Sequence, residues 1–399
     1  MDKNTQLRDL FMLRDDLAFL NHGSFGACPR PVHNQYQNLQ RELEHNPVAF
    51  LAEDREFPER MRSARQELAR FVGARRDDMV FIPNATYGLN VVAQSIGLQR
   101  GDEVLITDHA YGAIDRTWTY ACERQGAHLV RARVDLPVES AEQVIDDIWS
   151  QVNDRTQVIC LDHMTSFTAL IFPVRELVKR ARRAGIITVI DGAHAPGHID
   201  LDLDALDADF YVGNCHKWLM APKGAAFLWA KREMQPHLKP LVVSWGWRSD
   251  RPGPSRFVDE QEWTGTHDPA AALAVPAAIK FRRQHDWPRV QRQCHGLVRQ
   301  VRSEIARLTS IPAICPDSTT WYGQMATMPL PPCDRTRVQR ELLEHYRIEI
   351  PVIEWRERAY LRISVQGYNT RHDVEQLVMA MTQLLNDARF FTRSLKGYS

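Results

Sequence analysis

Between Met79 and Ala230, short apolar runs alternate with stretches patterned at helical period. The runs are "MVFIP" (79–83), "EVLITDH" (103–109), "QVICLDH" (157–163), "IITVIDG" (186–192), "DFYVGN" (209–214) and "AAFLWA" (225–230). Near-continuous apolar runs suit strands buried on both faces. Helices between them act as crossovers, which demands a mostly parallel sheet with helices on both sides, an α/β fold. Helices are predicted over 86–96 and about 113–125. In "PVRELVKRARRAG", Val174, Leu177, Val178 and Ala181 form one apolar stripe, with Pro173 in the first turn and Gly185 as the stop. The basic residues Lys179, Arg180, Arg182 and Arg183 crowd the end where the helix dipole is negative.

The texture changes after about Ala270. Helical stretches over about 270–284 and 287–309 lead to a Pro-rich segment, "MPLPPCD" (328–334). A helix, strand-like "IEIPVI" and "YLRISV", and a last helix from about His372 follow. The division expected is a large domain of residues 21–269. Residues 270–399, joined by a helical-looking 1–20, would form a smaller α+β C-terminal domain.

Composition narrows the partner. Fifty basic residues balance fifty acidic ones, which excludes nucleic acid or a membrane surface recruited by bulk charge and points to a small molecule. Seven scattered cysteines without a CxxC pair fit neither a disulfide framework nor a metal site. The charged N-terminus carries no apolar signal core, and no run is long enough to cross a bilayer, so a cytoplasmic location is expected.

Ligands of open parallel sheets sit beyond the carboxyl ends of the strands. The residues at those ends are Asn84-Ala85-Thr86, Asp108-His109, Asp162-His163 with Thr165-Ser166, Asp191 with His194, and Asn214 with His216-Lys217. Thr86 and free amides at a helix start suit a phosphate, although Asn84 by itself reads as an N-cap. Asp191 ends a very apolar strand and needs a cation to be tolerated there. His109 is flat enough to stack on a ring. Lys217 sits where desolvation lowers an amine's pKa toward reactivity. Each signal is weak alone; together they describe a pocket for a phosphorylated aromatic aldehyde that forms a Schiff base, pyridoxal 5′-phosphate.

The stretch "VIDGAHAPG…DADFYVGNCHKW" resembles the Asp-x-x-His/Gln and Ser/Asn-x-His-Lys signature of class V aminotransferases, which have the pyridoxal phosphate-dependent fold type I. "NATYGLN" resembles their phosphate loop and "ITDHAYGA" their stacking-histidine loop. "NHGSFG", "DHMTS", "TGTHDPAA" and "RISVQGYNT" are most similar to the isopenicillin N epimerase-like branch. The resemblance implies that Lys217 carries the cofactor, Asp191 faces the ring nitrogen and His109 stacks on the ring. It implies that Ala85, Thr86, Asn214 and His216 hold the phosphate, with Thr266 reaching it across a homodimer interface. His194 and Thr165 or Ser166 would lie near the cofactor's 3-oxygen, and Arg362 would clamp the substrate carboxylate, with His22 and Gly23 beside the substrate.

Lys217 would act as general base at Cα. Epimerisation needs a second acid, for which Tyr111, His22 and His163 all stand open; β-elimination or C–S lysis and transamination need none. The stretch "EIPVIEWRERAYLR" lacks the nucleophilic cysteine that desulfurases carry there, which argues against desulfuration through a persulfide. A non-catalytic relic of the fold is disfavoured because Lys217, Asp191 and Arg362 are all present. No Gly-x-Gly-x-x-Gly follows any strand, which disfavours a nicotinamide site.

Overall fold

The computed structural model describes residues 7–391. Ala18–Phe19 (β1) comes first, followed by the strands of the main sheet. These are β2 (Met79–Ile82), β3 (Glu103–Thr107), β4 (His128–Ala132), β5 (Thr156–Asp162), β6 (Ile187–Asp191), β7 (Phe210–Asn214) and β8 (Ala226–Ala230). They are ordered β2-β8-β7-β6-β5-β3-β4. The pairings β7-β6, β6-β5, β5-β3 and β3-β4 are parallel; β8 runs against both its neighbours. The fold is α/β with a mostly parallel sheet.

The period of two sorts the side chains. Val158, Cys160 and Val189 pack with Leu89, Val92 and Trp118, from the helices Ala85–Ser95 and Gly112–Gln125. Ile159, Leu161 and Ile190 pack on the other face with Leu177 and Val178. The final residues of β5 and β6, Asp162 and Asp191, are register partners and share the first of these faces.

A second, antiparallel sheet has the order β11-β12-β9, from β9 (Met325–Pro329), β11 (Val352–Trp355) and β12 (Arg358–Ser364). Arg356 and Glu357 join β11 to β12 with φ of 48° and 60°, the left-handed pair whose twist suits a two-residue hairpin. The helices Trp287–Thr309 and Arg371–Leu385 pack on one another, the former also against β9.

Of the expected N-terminal helix, residues 1–6 lie outside the described residues; Leu7 and Arg8 are helical, and the chain after them departs from the pattern. Phe11 is buried edge-on against Phe281 and Tyr368, and β1 pairs in parallel with β10 (Ile348–Glu349). An open strand edge and an aromatic socket outweigh the weak helical pattern. The stretch 270–284 is two helices, Ala270–Leu273 and Val275–Gln284, broken where Pro276 lacks an amide donor. Strand β4 escaped notice in the sequence because it is an edge strand with exposed His128 and Arg131.

Candidate functional site

Lys217 follows β7 in a turn held from several directions. The His22 ring Nε2 lies 3.1 Å from the Lys217 carbonyl oxygen, and an Arg282 N–H donates to the Trp218 carbonyl at 3.1 Å. Gly26, at φ +73°, presses so close that a Cβ there would lie 2.1 Å from the His216 carbonyl oxygen. The lysine amine lies 3.0 Å from His194 Nε2, while the indole N–H of Trp218 donates to His194 Nδ1 at 3.3 Å. That indole bond fixes the tautomer. With Nδ1 accepting, the proton of the neutral ring sits on Nε2, a donor that favours the uncharged form of the Lys217 amine. Burial pushes His194 well below the usual histidine range. Burial also lowers Lys217 to about 8, against the opposing pull of Asp191.

Asp191 and Asp162 are each 4 % exposed. Burial raises both carboxyls, and for Asp162 the neighbouring Asp191 charge adds to the rise. Asp191 accepts the Ala193 amide N–H at 2.9 Å, and Lys217 is the cation that bears on it. A buried carboxylate so sparsely compensated fits a protonated ring nitrogen.

At the start of the Ala85–Ser95 helix, Asn84 Oδ1 accepts from the Tyr87 amide at 2.9 Å, so it is indeed an N-cap. Asn214 Oδ1 accepts from the Ala85 amide, also at 2.9 Å. The Ala85 N–H is thus committed to Asn214, which leaves the Thr86 amide and hydroxyl and the Asn214 amino group to face a phosphate. His216 Nδ1 lies 3.2 Å from the Ala225 carbonyl, and burial lowers the ring to about 4. Its Nε2 therefore accepts rather than donates until a phosphate charge favours protonation. Thr266 is exposed, with no contact to these groups within its own chain.

Arg362, on β12, is 6 % exposed and has no carboxylate partner among the described residues. Its guanidinium donates to the Ser166 carbonyl at 2.6 Å, to Ser166 Oγ at 3.3 Å and to Ser24 Oγ at 2.9 Å. Its Nε is buried without a partner, and burial lowers the group to about 10. Such a cation is a ready seat for a carboxylate. Ser24 was missed in the sequence, where a serine in "NHGSFG" carries no distinguishing signal. Trp218 carries no signal in the sequence for its part in holding the His194 ring.

Three expectations are corrected. His109 is 0 % exposed and presents no face to a ligand: its ring lies 4.5 Å from Trp355 and 5.4 Å from Phe172. Its Nδ1 is 2.7 Å from Thr168 Oγ1 and its Nε2 2.9 Å from the Val134 carbonyl, so both nitrogens are taken. His22 lies beneath the lysine backbone, with Nδ1 3.0 Å from the Tyr368 hydroxyl, rather than beside a substrate. Gly23 packs so tightly that a Cβ would meet Met325 Sδ at 2.7 Å and Ser364 Oγ at 2.8 Å; its role is close approach. His163 is turned to the opposite side of the sheet from Asp162, 2.9 Å from the Tyr211 hydroxyl. Thr165 bonds Thr168 and the Leu170 amide. A cleft of about 580 Å³ lies elsewhere, beside the buried Arg65–Glu262 ion pair, and none of the candidate residues lines it.

The class V aminotransferase profile matches residues 26–377. An isopenicillin N epimerase of Amycolatopsis lactamdurans is 34 % identical over 94 % of this chain and 97 % of its own length. A probable chloroplastic L-cysteine desulfhydrase of Arabidopsis thaliana is 29 % identical over 93 % of this chain and 84 % of its own. Among solved structures, a cysteine desulfurase of Escherichia coli superposes with a TM-score of 0.79 at 22 % identity, covering 95 % of this chain and 98 % of that one. With a matching profile over most of its length and a relative this similar from end to end, the chain belongs to the class V aminotransferase family.

Proposed function

We propose that this chain is a pyridoxal phosphate-dependent enzyme acting at the Cα of an amino acid, and that it is an isopenicillin N epimerase-like epimerase. The observation that carries the reading is the buried Lys217 amine, its pKa lowered by burial, set between a sparsely compensated carboxylate, Asp191, and a guanidinium without a carboxylate partner, Arg362. The cofactor is pyridoxal 5′-phosphate; when bound it supplies a ring that accepts the charge left at Cα as a bond there breaks. Asp191 holds a proton on the ring nitrogen. Thr86, Asn214 and a protonated His216 face the phosphate, joined by Thr266 from a second copy of the chain in a homodimer with shared sites. His194 orients the Lys217 amine. Arg362, already anchored on Ser24 and Ser166, fixes the substrate carboxylate so that the Cα proton faces Lys217, which removes it.

Epimerisation is supported by the end-to-end likeness to isopenicillin N epimerases. β-Elimination is the second reading, favoured by relatives named L-cysteine desulfhydrases, and it would use the same residues. Transamination ranks third. Against desulfuration through a persulfide stands the hairpin tip, where Arg356-Glu357 form a tight turn in place of a cysteine-bearing loop. Cys28 and Cys333, the half-buried thiols, are pushed up by burial to about 12 and about 11, away from the thiolate such chemistry needs.

Incubation with a panel of amino acids in deuterated water tests the reading. Solvent deuterium at Cα with loss of chirality, and no keto acid, is expected. Release of pyruvate with sulfide would transfer the assignment to elimination. A protein that takes up no pyridoxal phosphate would remove the enzymatic reading altogether.

A further inference from the structure

We infer that His198 is a positioning residue for the Lys217 amine: its flat ring braces Trp218, whose indole N–H in turn holds the His194 ring against that amine. The inference rests on the proposed function, which gives Lys217 its part, and adds a residue to that reading. His198 is 5 % exposed, and its ring centroid lies 3.9 Å from that of Trp218 at an interplanar angle of 36°. The Gln324 backbone amide donates to His198 Nε2 at 2.7 Å, so the proton of the neutral ring sits on Nδ1. Gly323 permits this approach, since a Cβ there would lie 2.5 Å from the same nitrogen. Nδ1 is buried without a full hydrogen bond, its proton drawn toward the His194 backbone carbonyl. Serving the Gln324 amide needs only an acceptor. What the imidazole adds is a rigid plane, kept at the cost of a poorly matched buried N–H.

The indole needs such a plane. Its bond to His194 Nδ1 is long, 3.3 Å, and a small swing of the ring would break it. Trp218 is fully buried, but its packing partners Met164 and Met325 are pliable side chains that do not set a ring angle. The His22 ring, at 5.0 Å and 52°, lies farther off. Losing the indole bond would free His194 to take the other tautomer and offer Nε2 as an acceptor, which favours the ammonium form of Lys217 and raises its pKa. The other charges that face these groups do not change with residue 198. They are Asp191, Asp162 and Arg362 about Lys217, Arg362 and His216 about His194, and His22, Arg282 and His295 about His198. The Gln324 carbonyl accepts from the Val365 amide at 2.8 Å, just after β12. His198 thus ties the support of the amine to the sheet that carries Arg362.

A trace of acetic anhydride, which acetylates the neutral amine and not the ammonium, tests this on the full-length cofactor-free chain, with Lys217 acetylation read by peptide mass spectrometry across pH. His198→Gln keeps an acceptor for the Gln324 amide and removes the ring. Its midpoint should lie about half a pH unit or more above the parent's, so that at pH 7 Lys217 is acetylated roughly threefold more slowly. The sign follows because a higher pKa leaves less neutral amine at any pH below it. Trp218→Phe, which removes the indole N–H, should give the same shift, and His198→Gln added to it should bring no further one. Denaturant titration of each variant separates a shifted midpoint from lost structure, since a purely structural residue would lower stability and leave the midpoint in place. A parent midpoint retained in His198→Gln, or shifts that add in the double variant, would overturn the inference. Failure of the parent chain to bind pyridoxal phosphate, a separate measurement, would instead remove the proposed function and leave the acetylation result standing.

Discussion

Lys217 gains its reactivity from where its amine is kept. Burial penalises the ammonium, and the Trp218–His194 pair offers a donor that favours a neutral amine. In the cofactor-free chain the rate of pyridoxal phosphate capture, trapped with borohydride, should climb with pH and reach half its maximum near about 8. An unperturbed lysine would do so near about 10.4. The sign follows from which form reacts: the neutral amine attacks the aldehyde, and its fraction grows as pH rises through the lowered pKa. Lys217→Ala should give no trapped adduct. Arg362→Lys keeps the charge but loses the fork held by Ser24 and Ser166. A buried charged hydrogen-bonded pair is worth about 2–5 kcal/mol, so KM for free amino acids should rise roughly 30-fold or more, while amino acid amides change little. At this scale the lysine and the aspartate were legible because a charge at the end of an apolar strand is costly without a partner, and the arginine through the family resemblance of "LRISV". The fate of His109 was not, since "TDHAYGA" does not say which of two nearby rings turns inward.

The hairpin of β11 and β12 brings Arg362 from the second sheet to the edge of the first. Trp355 donates its indole N–H to the Asp108 carbonyl at 3.0 Å and covers His109, while Arg356 pairs with Asp108 and, at 2.6 Å, with Asp135. His109 is thus part of the seat for the element that carries the carboxylate clamp. Arg356→Ala should raise KM severalfold with a smaller change in kcat, because it loosens docking rather than chemistry; equal losses in both would argue that the hairpin tip reaches the reacting atoms. The short helix His22–Phe25 plays the matching part for Lys217. Gly26, at its end, is left-handed and touches the lysine turn. Gly26→Ala should cost about 2 kcal/mol or more of stability, read by denaturant titration, and should also weaken cofactor retention. The strand-end positions could be read from sequence at this level; the hairpin's landing point could not, because it joins residues more than two hundred positions apart.

For the molecule as a whole, one buried cluster runs from Leu105 and Phe227 of the main sheet to Leu361 and Ile363 of the second, so the two sheets share packing rather than touching at a seam. Among the described residues no helix is long and apolar enough to cross a membrane, and no group of residues has the makings of a metal site. Thr266 is exposed on the same stretch of chain as Trp245, which is 78 % exposed, and Val243. A homodimer with shared sites predicts complementation. A chain with Lys217→Ala and a chain with Thr266→Ala should regain, when mixed, one intact site per heterodimer, seen as recovered tight cofactor binding. Simple averaging of the two variants' affinities would instead keep each site within one chain.

The order of residues by itself determined the parallel-sheet fold, the reactive edge and the identity of its principal charged groups. These follow from local periodicity and from the cost of placing a charge at the end of an apolar strand. Tertiary structure alone decided which groups are spent on holding the frame and which remain available. His22, Gly23 and His109 went to packing, Ala85 gave its amide to Asn214, and Tyr111 kept an exposed ring. Side-chain orientation and the competition of distant partners for one hydrogen bond are set by contacts between segments far apart in the chain. No local pattern of residues encodes them.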